Sequence, residues 1–363
     1  MSADGTAGED GAANGPGGVE RDDPASGVGA TVGEAGESGV LRRVLARLRP
    51  ADAAAIGPGD DSAVLRLSGD TVVTTDTMIE GPDFRSAWHS GFELGWKLAA
   101  TNLSDVAAMG ARPVGLTVAL ACPQGTELAL LEQIAEGLDA ACRELAPGCG
   151  VVGGDLSTGP VLIAAVTALG DMQGRSPVLR SGARPGDVLA YAGPLGLAGT
   201  GLALLFRDSA DADGRAHPRG LEELRSRHPA ALAAQLAPAP PILAGVAAAE
   251  AGATAMMDVS DGLSLDAARM AAASGATARL SSALLGRAFG EQQGQSISLD
   301  SMLTGGEDHG LLAAFPPGAA LPPGFEPIGD VGDPRPDGAG VLLDGEPFEP
   351  RGWDPYRTLP PGA

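Results

Sequence analysis

Apolar residues along this chain recur at two spacings, one helical and one alternating. Leu41, Val44, Leu45 and Leu48 follow the helical period and predict the first ordered helix. Runs at 63–67 and 71–75 flank Ser68-Gly69-Asp70 and predict a hairpin. Residues 92–109 predict a helix whose apolar stripe contains Trp96, Ala99, Ala100, Leu103, Val106 and Ala107. Lys97, Thr101 and Asp105 lie four apart and share its polar face. Gly110 ends it, with Pro113 beyond. Residues 114–121 predict a buried strand and 127–144 a second helix. Strands at 150–152 and 161–168 are expected around a Gly153-Gly154-Asp155 turn. Strands and helices in alternation make this first unit α/β.

Residues 180–187 are polar, contain Gly and Pro, and separate two strand runs, which predicts a boundary. A second α/β unit follows. A Gly-rich turn, 193–199, opens a helix running through Leu205, and residues 207–220 predict a surface loop. Helices are expected near 242–251 and 263–273, then short strands between Pro and Gly turns from Pro316. Residues 1–36 hold almost no large apolar side chain and are expected to be disordered, because they cannot offset their ordering entropy. The division expected is therefore a tail (1–36), an N-terminal domain (37–178) and a C-terminal domain (179–363).

Composition narrows the function classes. The net charge of −22 over 363 residues argues against nucleic acid or an anionic membrane as partner. It leaves phosphate substrates open, since bound metal ions invert local charge. The three cysteines have neither the spacing nor the even number of a disulfide framework, so reduced buried thiols are expected. The four histidines lack zinc-ligand spacing, and none is given a base role. No signal peptide and no run of about 18 apolar residues is visible, which makes the cytoplasm the expected compartment.

The chemistry lies in the aspartates. Asp60, Asp61, Asp76, Asp105, Asp155, Asp258 and Asp261 stand beside Gly, Ser or Thr at places expected to end strands or helices. One Asp beside Gly is usually a turn or a cap. The set favours Mg²⁺, a hard ion that prefers carboxylate, phosphate and water oxygen. If Ser260 begins a helix, its hydroxyl and the free N–H groups there could hold phosphate. The chain's one lysine, Lys97, is not in a Gly-x-x-x-x-Gly-Lys-[Ser/Thr] loop, so phosphate must be gripped by metal, arginine or backbone. Arg180 is such an arginine, or simply an exposed linker residue. The 193–199 turn reads as tight packing rather than a phosphate cradle. Trp353 either staples the chain's end or stacks on a heteroaromatic ring.

These motifs, in this order, resemble the thiamine-monophosphate kinase family. The match runs through Gly59-Asp60-Asp61, Thr74-Thr75-Asp76-Thr77, Asn102-Leu103-Ser104-Asp105 and Gly153-Gly154-Asp155. It continues through Arg180-Ser181-Gly182-Ala183, Asp258-Val259-Ser260-Asp261-Gly262, Gly305-Gly306-Glu307-Asp308 and Gly352-Trp353-Asp354. The resemblance implies a two-domain fold like aminoimidazole ribonucleotide synthetase, with N-terminal sheets pairing across a homodimer. It implies transfer of the ATP γ-phosphoryl group to thiamine monophosphate, giving thiamine diphosphate. Asp61, Thr74, Thr75, Asp76, Asp105, Asp155, Asp258 and Asp261 would then hold Mg²⁺, with catalysis resting on Asp105, Asp155 and Asp261. Gly154, Asp155, Arg180 and Ser260 would contact ATP. Asp83, Glu307 and Trp353 would contact thiamine monophosphate.

The sequence departs from the family in two places. Asp83 stands where the family often has His, and the segment 236–241 lacks an Arg often found there. Neither departure touches the metal carboxylates. Two other classes are open on the same residues: a non-catalytic nucleotide-binding paralogue, and a metal-dependent phosphatase.

Overall fold

A computed structural model describes residues 29–59, 61–336 and 338–353. Asp60, Asp354 and most of the expected tail therefore lie outside the described residues.

The first unit contains α1 (Val32–Leu45), β1 (Ala54–Ile56), β2 (Val64–Leu65), β3 (Thr71–Ile79), α2 (Gly91–Ala108), β4 (Arg112–Cys122), α3 (Leu128–Leu145), β5 (Val151–Thr158) and β6 (Ile163–Asp171). Helix α1 starts inside the expected tail. Thr31 and Glu34 form a reciprocal capping box, and the helix kinks at Gly36. The main sheet runs β3-β6-β4-β5, with β4 and β5 parallel and the other pairs antiparallel. Helices α2 and α3 cover one face. They pack so closely that a Cβ on Gly95 would sit 2.0 Å from the Ile134 carbonyl oxygen, so only glycine fits there.

Two expectations fail here. The 63–75 hairpin does not form: β2 pairs with β1, and β3 pairs along its whole length with β6. The Ser68 turn is instead tied to the end of β6, with Asp171 accepting from the Ser68 N–H and hydroxyl, both at 2.9 Å. Nor is Gly153-Gly154-Asp155 a turn, since β5 runs straight through it. A Cβ on Gly154 would lie 2.2 Å from the Val118 carbonyl oxygen, so close strand approach, not chain reversal, demands that glycine.

The second unit contains β7 (Val188–Ala192), α4 (Leu197–Asp208), α5 (Leu221–Arg227), α6 (Pro229–Leu236), α7 (Ile242–Glu250), β8 (Ala255–Val259), α8 (Leu263–Ser274), β9 (Thr277–Leu280) and α9 (Ser282–Phe289). It ends with β10 (Glu291–Gln292), β11 (Gln295–Ser296), α10 (Leu299–Thr304), β12 (Gly310–Phe315), β13 (Phe325–Gly332), β14 (Gly340–Leu343) and β15 (Glu346–Phe348). Its sheet has the order β15-β14-β9-β13-β7-β12-β8, mostly antiparallel, with one parallel pair, β9 and β14.

The units interlock. Trp88, from the first, is buried in the core of the second and donates its indole N–H to the Ser209 carbonyl at 2.9 Å. Ile242, from the second, is buried in the core of the first. A Cβ on Gly245 would lie 2.1 Å from the Ala107 carbonyl oxygen, so α7 rests on α2 backbone to backbone. Helix α2 is therefore buried nearly all round. Its polar face turns to the other unit rather than to water: Lys97 is 0% exposed and Thr101 2%.

Candidate active site

The polar face of α2, the inner face of β3 and the end of β8 meet in a cleft of about 750 Å³. Thr74 and Asp76 share one face of β3 by alternation. The Thr74 hydroxyl donates to Asp105 on α2 at 2.8 Å. Asp258, near the end of β8, lines the same cleft, and so does exposed Arg180. The expected strand-end positions hold for Asp258, but Asp76 and Asp155 lie mid-strand.

Crowded carboxylates set the electrostatics. The Asp105 carboxyl is pushed up to about 7, first by burial and then by the charges of Asp258 and Asp76. Asp76 is raised by burial, with Asp258, Asp261 and Asp83 adding to the effect. Asp266 is also pushed up to about 7, by burial and by Asp258. Arg269 bridges Asp261 and Asp266, each contact being 2.6 Å. Asp266 further accepts the Asp261 N–H at 3.0 Å, which fixes the turn before α8. That helix begins at Leu263 with Gly262 as its N-cap, so Ser260 does not start it. His309 Nδ1 stands 3.5 Å from Asp258 Oδ2, a charge contact rather than a well-formed hydrogen bond. Burial alone would depress the His309 imidazole, but Asp258, helped by Glu307, raises it.

A second pocket, of about 410 Å³, adjoins this one. Asp83, Arg85, Trp88, Glu307 and Trp353 line it. The Arg85 guanidinium lies 5.0 Å from the Trp88 ring centre and 4.7 Å from that of Phe206. Asp83 is raised, mainly by burial, and accepts the Ile79 N–H at 2.8 Å. Trp353 lines the pocket, and its backbone N–H is pinned to the Asp261 carbonyl at 2.9 Å.

The segment 305–309 links the two pockets. Glu307 and His309 have φ of 67° and 53°, a left-handed backbone unusual for side-chain-bearing residues. Consecutive side chains diverge. Glu307 faces the smaller pocket and His309 reaches Asp258. Asp308 turns inward and accepts the N–H groups of Gly196 and Ala198 at the start of α4, the latter at 2.8 Å. The 193–199 turn is thus capped by protein. A Cβ on Gly199 would lie 2.7 Å from the Gly305 Cα, in keeping with a packing role.

Asp61, Gly154 and Asp155 lie elsewhere. They line the mouth of an apolar cavity of about 590 Å³ between α1, α3 and the β5 edge. Thr77, Ala165, Ala119 and Asp155 form one cross-strand row. Asp155 is therefore roughly 14 Å from β3, three inter-strand spacings of about 4.8 Å. The row also puts Asp155 on the face of Thr77, opposite to Asp76. Thr75 shares that outer face, where its hydroxyl accepts from Thr167 at 3.1 Å.

The residues expected to bind metal thus fall into two groups. Thr74, Asp76, Asp105, Asp258 and Asp261 gather around the cleft between the units, while Thr75 and Asp155 lie on the sheet's outer face and Asp61 lines the cavity beside α1 and α3. The nucleotide residues divide too, with Gly154 and Asp155 on the edge strand β5 and Arg180 and Ser260 in the second unit. Among the described residues, no three His, Cys, Asp or Glu side chains converge closely enough to hold a metal ion by themselves. Sequence reasoning missed Asp266, Arg269, Gln235 and the contact of His309. Only Lys97 carried a signal, as the one lysine of the chain.

The AIR synthase related protein family matches in both parts, its N-terminal domain over residues 59–172 and its C-terminal domain over 184–321. The thiamine-monophosphate kinase of Mycobacterium tuberculosis is 37% identical over 333 residues, 90% of this chain and 93% of its own length. That of Corynebacterium glutamicum is 35% identical over 336 residues, covering 90% and 95%. Among solved structures, AaThiL complexed with AMPPCP and TMP superposes with a TM-score of 0.64 at 30% identity, over 88% of this chain and 97% of that one. On these matches the chain belongs to the thiamine-monophosphate kinase family of enzymes, within the AIR synthase related proteins.

Proposed function

We propose that this protein transfers the γ-phosphoryl group of ATP to the phosphate of thiamine monophosphate, and that it does so as a homodimer whose active site is shared between subunits. The observation that carries the shared site is the split of one family residue set into two groups, one around the cleft between the units and one around Asp61 and Asp155 at the far edge of the N-terminal sheet. A second copy that brings its Asp61 and Asp155 against the cleft of the first would reunite them. The outer face suits such contact. Val73 and Ile79 stand exposed there on β3, at the sheet edge.

Magnesium fits the donor set. The cleft holds crowded carboxylates whose protonation is favoured by one another's charge, and a divalent cation would relieve that repulsion. Asp76, Asp105 and Asp258 would hold Mg²⁺ from one subunit, and Asp61 and Asp155 from the other. Mg²⁺ seldom takes an all-protein cage and usually shares its shell with substrate phosphates. When bound, the metal neutralises charge on the transferring phosphoryl group.

The chain's own residues supply position. The accepting phosphate is already anionic near neutral pH, so no strong general base is required, and catalysis rests on alignment and charge. Arg180 would approach the ATP phosphates from the cleft wall. The apolar cavity behind Asp61 and Asp155 suits a nucleobase. The pocket of Asp83, Glu307 and Trp353 suits a cationic heteroaromatic ring, with carboxylates for its charge and an indole for stacking.

Incubation with ATP, Mg²⁺ and thiamine monophosphate, followed by chromatography, tests the reaction. Thiamine diphosphate supports it, free thiamine would make the protein a phosphatase, and no change would make it a binding module. Mixing two inactive variants, Asp105→Ala and Asp155→Ala, tests the sharing. Exchange of subunits should restore about a quarter of wild-type turnover, because half the dimers are mixed and each carries one intact site. No recovery after proven exchange would place both groups' work within one subunit.

A further inference from the structure

Twenty-four residues of this chain are Lys or Arg, and Lys97 is the only lysine among them. It is also 0% exposed, in the middle of α2, where a cation is costly unless paired. Its Nζ donates to the Gln235 carbonyl at 3.1 Å and pairs with Glu307 Oε1 at 2.9 Å. That carbonyl lies in the last turn of α6, where backbone oxygens carry partial negative charge. The Gln235 side-chain amide donates to the other Glu307 oxygen. One carboxylate is therefore held at both oxygens, by groups from α2 and α6.

The backbone of Glu307 is held as well. Its N–H donates to the Ser260 carbonyl at 2.7 Å, and its φ is 67°. Arginine would serve poorly at position 97. Its planar fork presents five N–H donors, and the two oxygens that Lys97 engages would leave several of them buried without acceptors. A flexible ammonium satisfies two oxygens on different elements and leaves little unpaired. Asp83, Arg85, His89 and His309 also act on Glu307 electrostatically, but Lys97 makes the close pair.

We propose that Lys97 is a positioning residue: it fixes the Glu307 carboxylate at the wall of the smaller pocket and so sets affinity for the organic part of the phosphate acceptor without touching it. This rests on the reading of that pocket as the acceptor site. The consequence is selective, because nucleotide contacts are assigned to other residues.

The test is a double-variant cycle with Lys97→Met, Glu307→Gln and the pair combined, each with a melting curve and both Michaelis constants. Each single variant should raise KM for thiamine monophosphate about tenfold or more, as expected for losing a hydrogen bond to a charged group. KM for ATP should move less than about twofold. The combined variant should match Glu307→Gln alone, because Lys97 acts only through that carboxylate. If Lys97→Met does not fold, the combined variant removes both buried charges and keeps the comparison with Glu307→Gln. Losses that multiply in the combined variant, or that fall equally on both substrates, would overturn the proposal. A wild-type protein that makes no thiamine diphosphate would sink the reading of the pocket, and this inference with it. A wild-type protein that turns over normally while Lys97→Met leaves the acceptor KM unchanged would sink the inference alone.

Discussion

Asp105 and Glu307 line adjoining pockets, and burial pushes both carboxyls toward the neutral form, yet they end with opposite shifts. Asp105 is pushed up to about 7 because its other strong neighbours are Asp258 and Asp76. Glu307 is held below the usual carboxylate value because Lys97 and Gln235 outweigh burial. The difference separates two kinds of site. Carboxylates crowded by one another, with too little counter-charge from the chain, suit a charge brought from outside, such as a metal ion. A carboxylate neutralised by the chain's own lysine is a fixed fixture, suited to an organic ligand that must be oriented.

The sharpest way to break this contrast is Asp105→Asn, which keeps the shape and removes one charge from the crowded set. Turnover with ATP and thiamine monophosphate should fall at least ~100-fold, through lost metal-held geometry. Melting temperature without magnesium should hold or rise, because like-charge repulsion is relieved. A folded variant that keeps its turnover would show that this cluster is not the metal's seat. A sharply lowered melting temperature would show that Asp105 is structural.

Trp353→Ala probes the other side of the comparison. Stacking with a cation–π contribution is worth roughly 1–2 kcal/mol, so acceptor KM should rise about tenfold while KM for ATP barely changes. The backbone bond from Trp353 to Asp261 survives this change, so most of the staple remains. Loss of melting temperature with both substrates affected alike would instead make the ring a mere fastener.

His309 sits between the two kinds of site. The sequence assigned it no base role, and the structure gives it a 3.5 Å charge contact with Asp258. His309→Gln should therefore cost far less turnover than Asp105→Asn, because it removes a charge contact and no oxygen proposed to hold metal. A loss as large as that of Asp105→Asn would mean that the imidazole does chemistry itself.

How legible the site was follows from what each residue depends on. The acidic motifs and α2 could be read from the chain because they are local patterns: an 18-residue helix with its polar residues four apart is visible without a fold. The partner of β3 was not legible. The Ser68 turn resembles a hairpin turn, and only the long-range pairing with β6 decides otherwise. Gly153 and Gly154 misled for a related reason. Glycine marks both turns and close backbone approach, and Val118 lies far away in sequence. The split of the aspartates into two groups also depends on strand order, which no local motif encodes. Lys97 was visible as an oddity of composition, but its partners come from α6 and the 305–309 segment, both assembled by tertiary folding.

The raised Asp105 carboxyl also ties stability to pH. An Asp carboxyl has an ordinary value of 3.8, and in the folded protein that of Asp105 is near 7. Between those values the folded state keeps a proton that the unfolded chain has released. This group's contribution to stability is therefore complete below about pH 4 and is lost as pH rises through about 7. Asp266 and Asp308, both also pushed up to about 7, act in the same direction. His89 acts in the opposite one. Burial, helped by Lys97, pushes it down to about 4, so its contribution is present above its ordinary value of 6.5 and fades as pH falls toward 4. Total stability is a sum of opposing slopes, and a single curve cannot apportion them. The comparison of wild type with Asp105→Asn can, because asparagine stays neutral and leaves the other groups in place. In metal-free buffer, wild-type melting temperature should fall more steeply than that of the variant between about pH 5 and 7.5. Added Mg²⁺ competes with the proton for the same oxygens, so its protection of the wild type should grow with pH across this range and be weaker in Asp105→Asn. Parallel melting curves, with equal magnesium effects in both proteins, would remove Asp105 from the cation site and erase the contrast with Glu307.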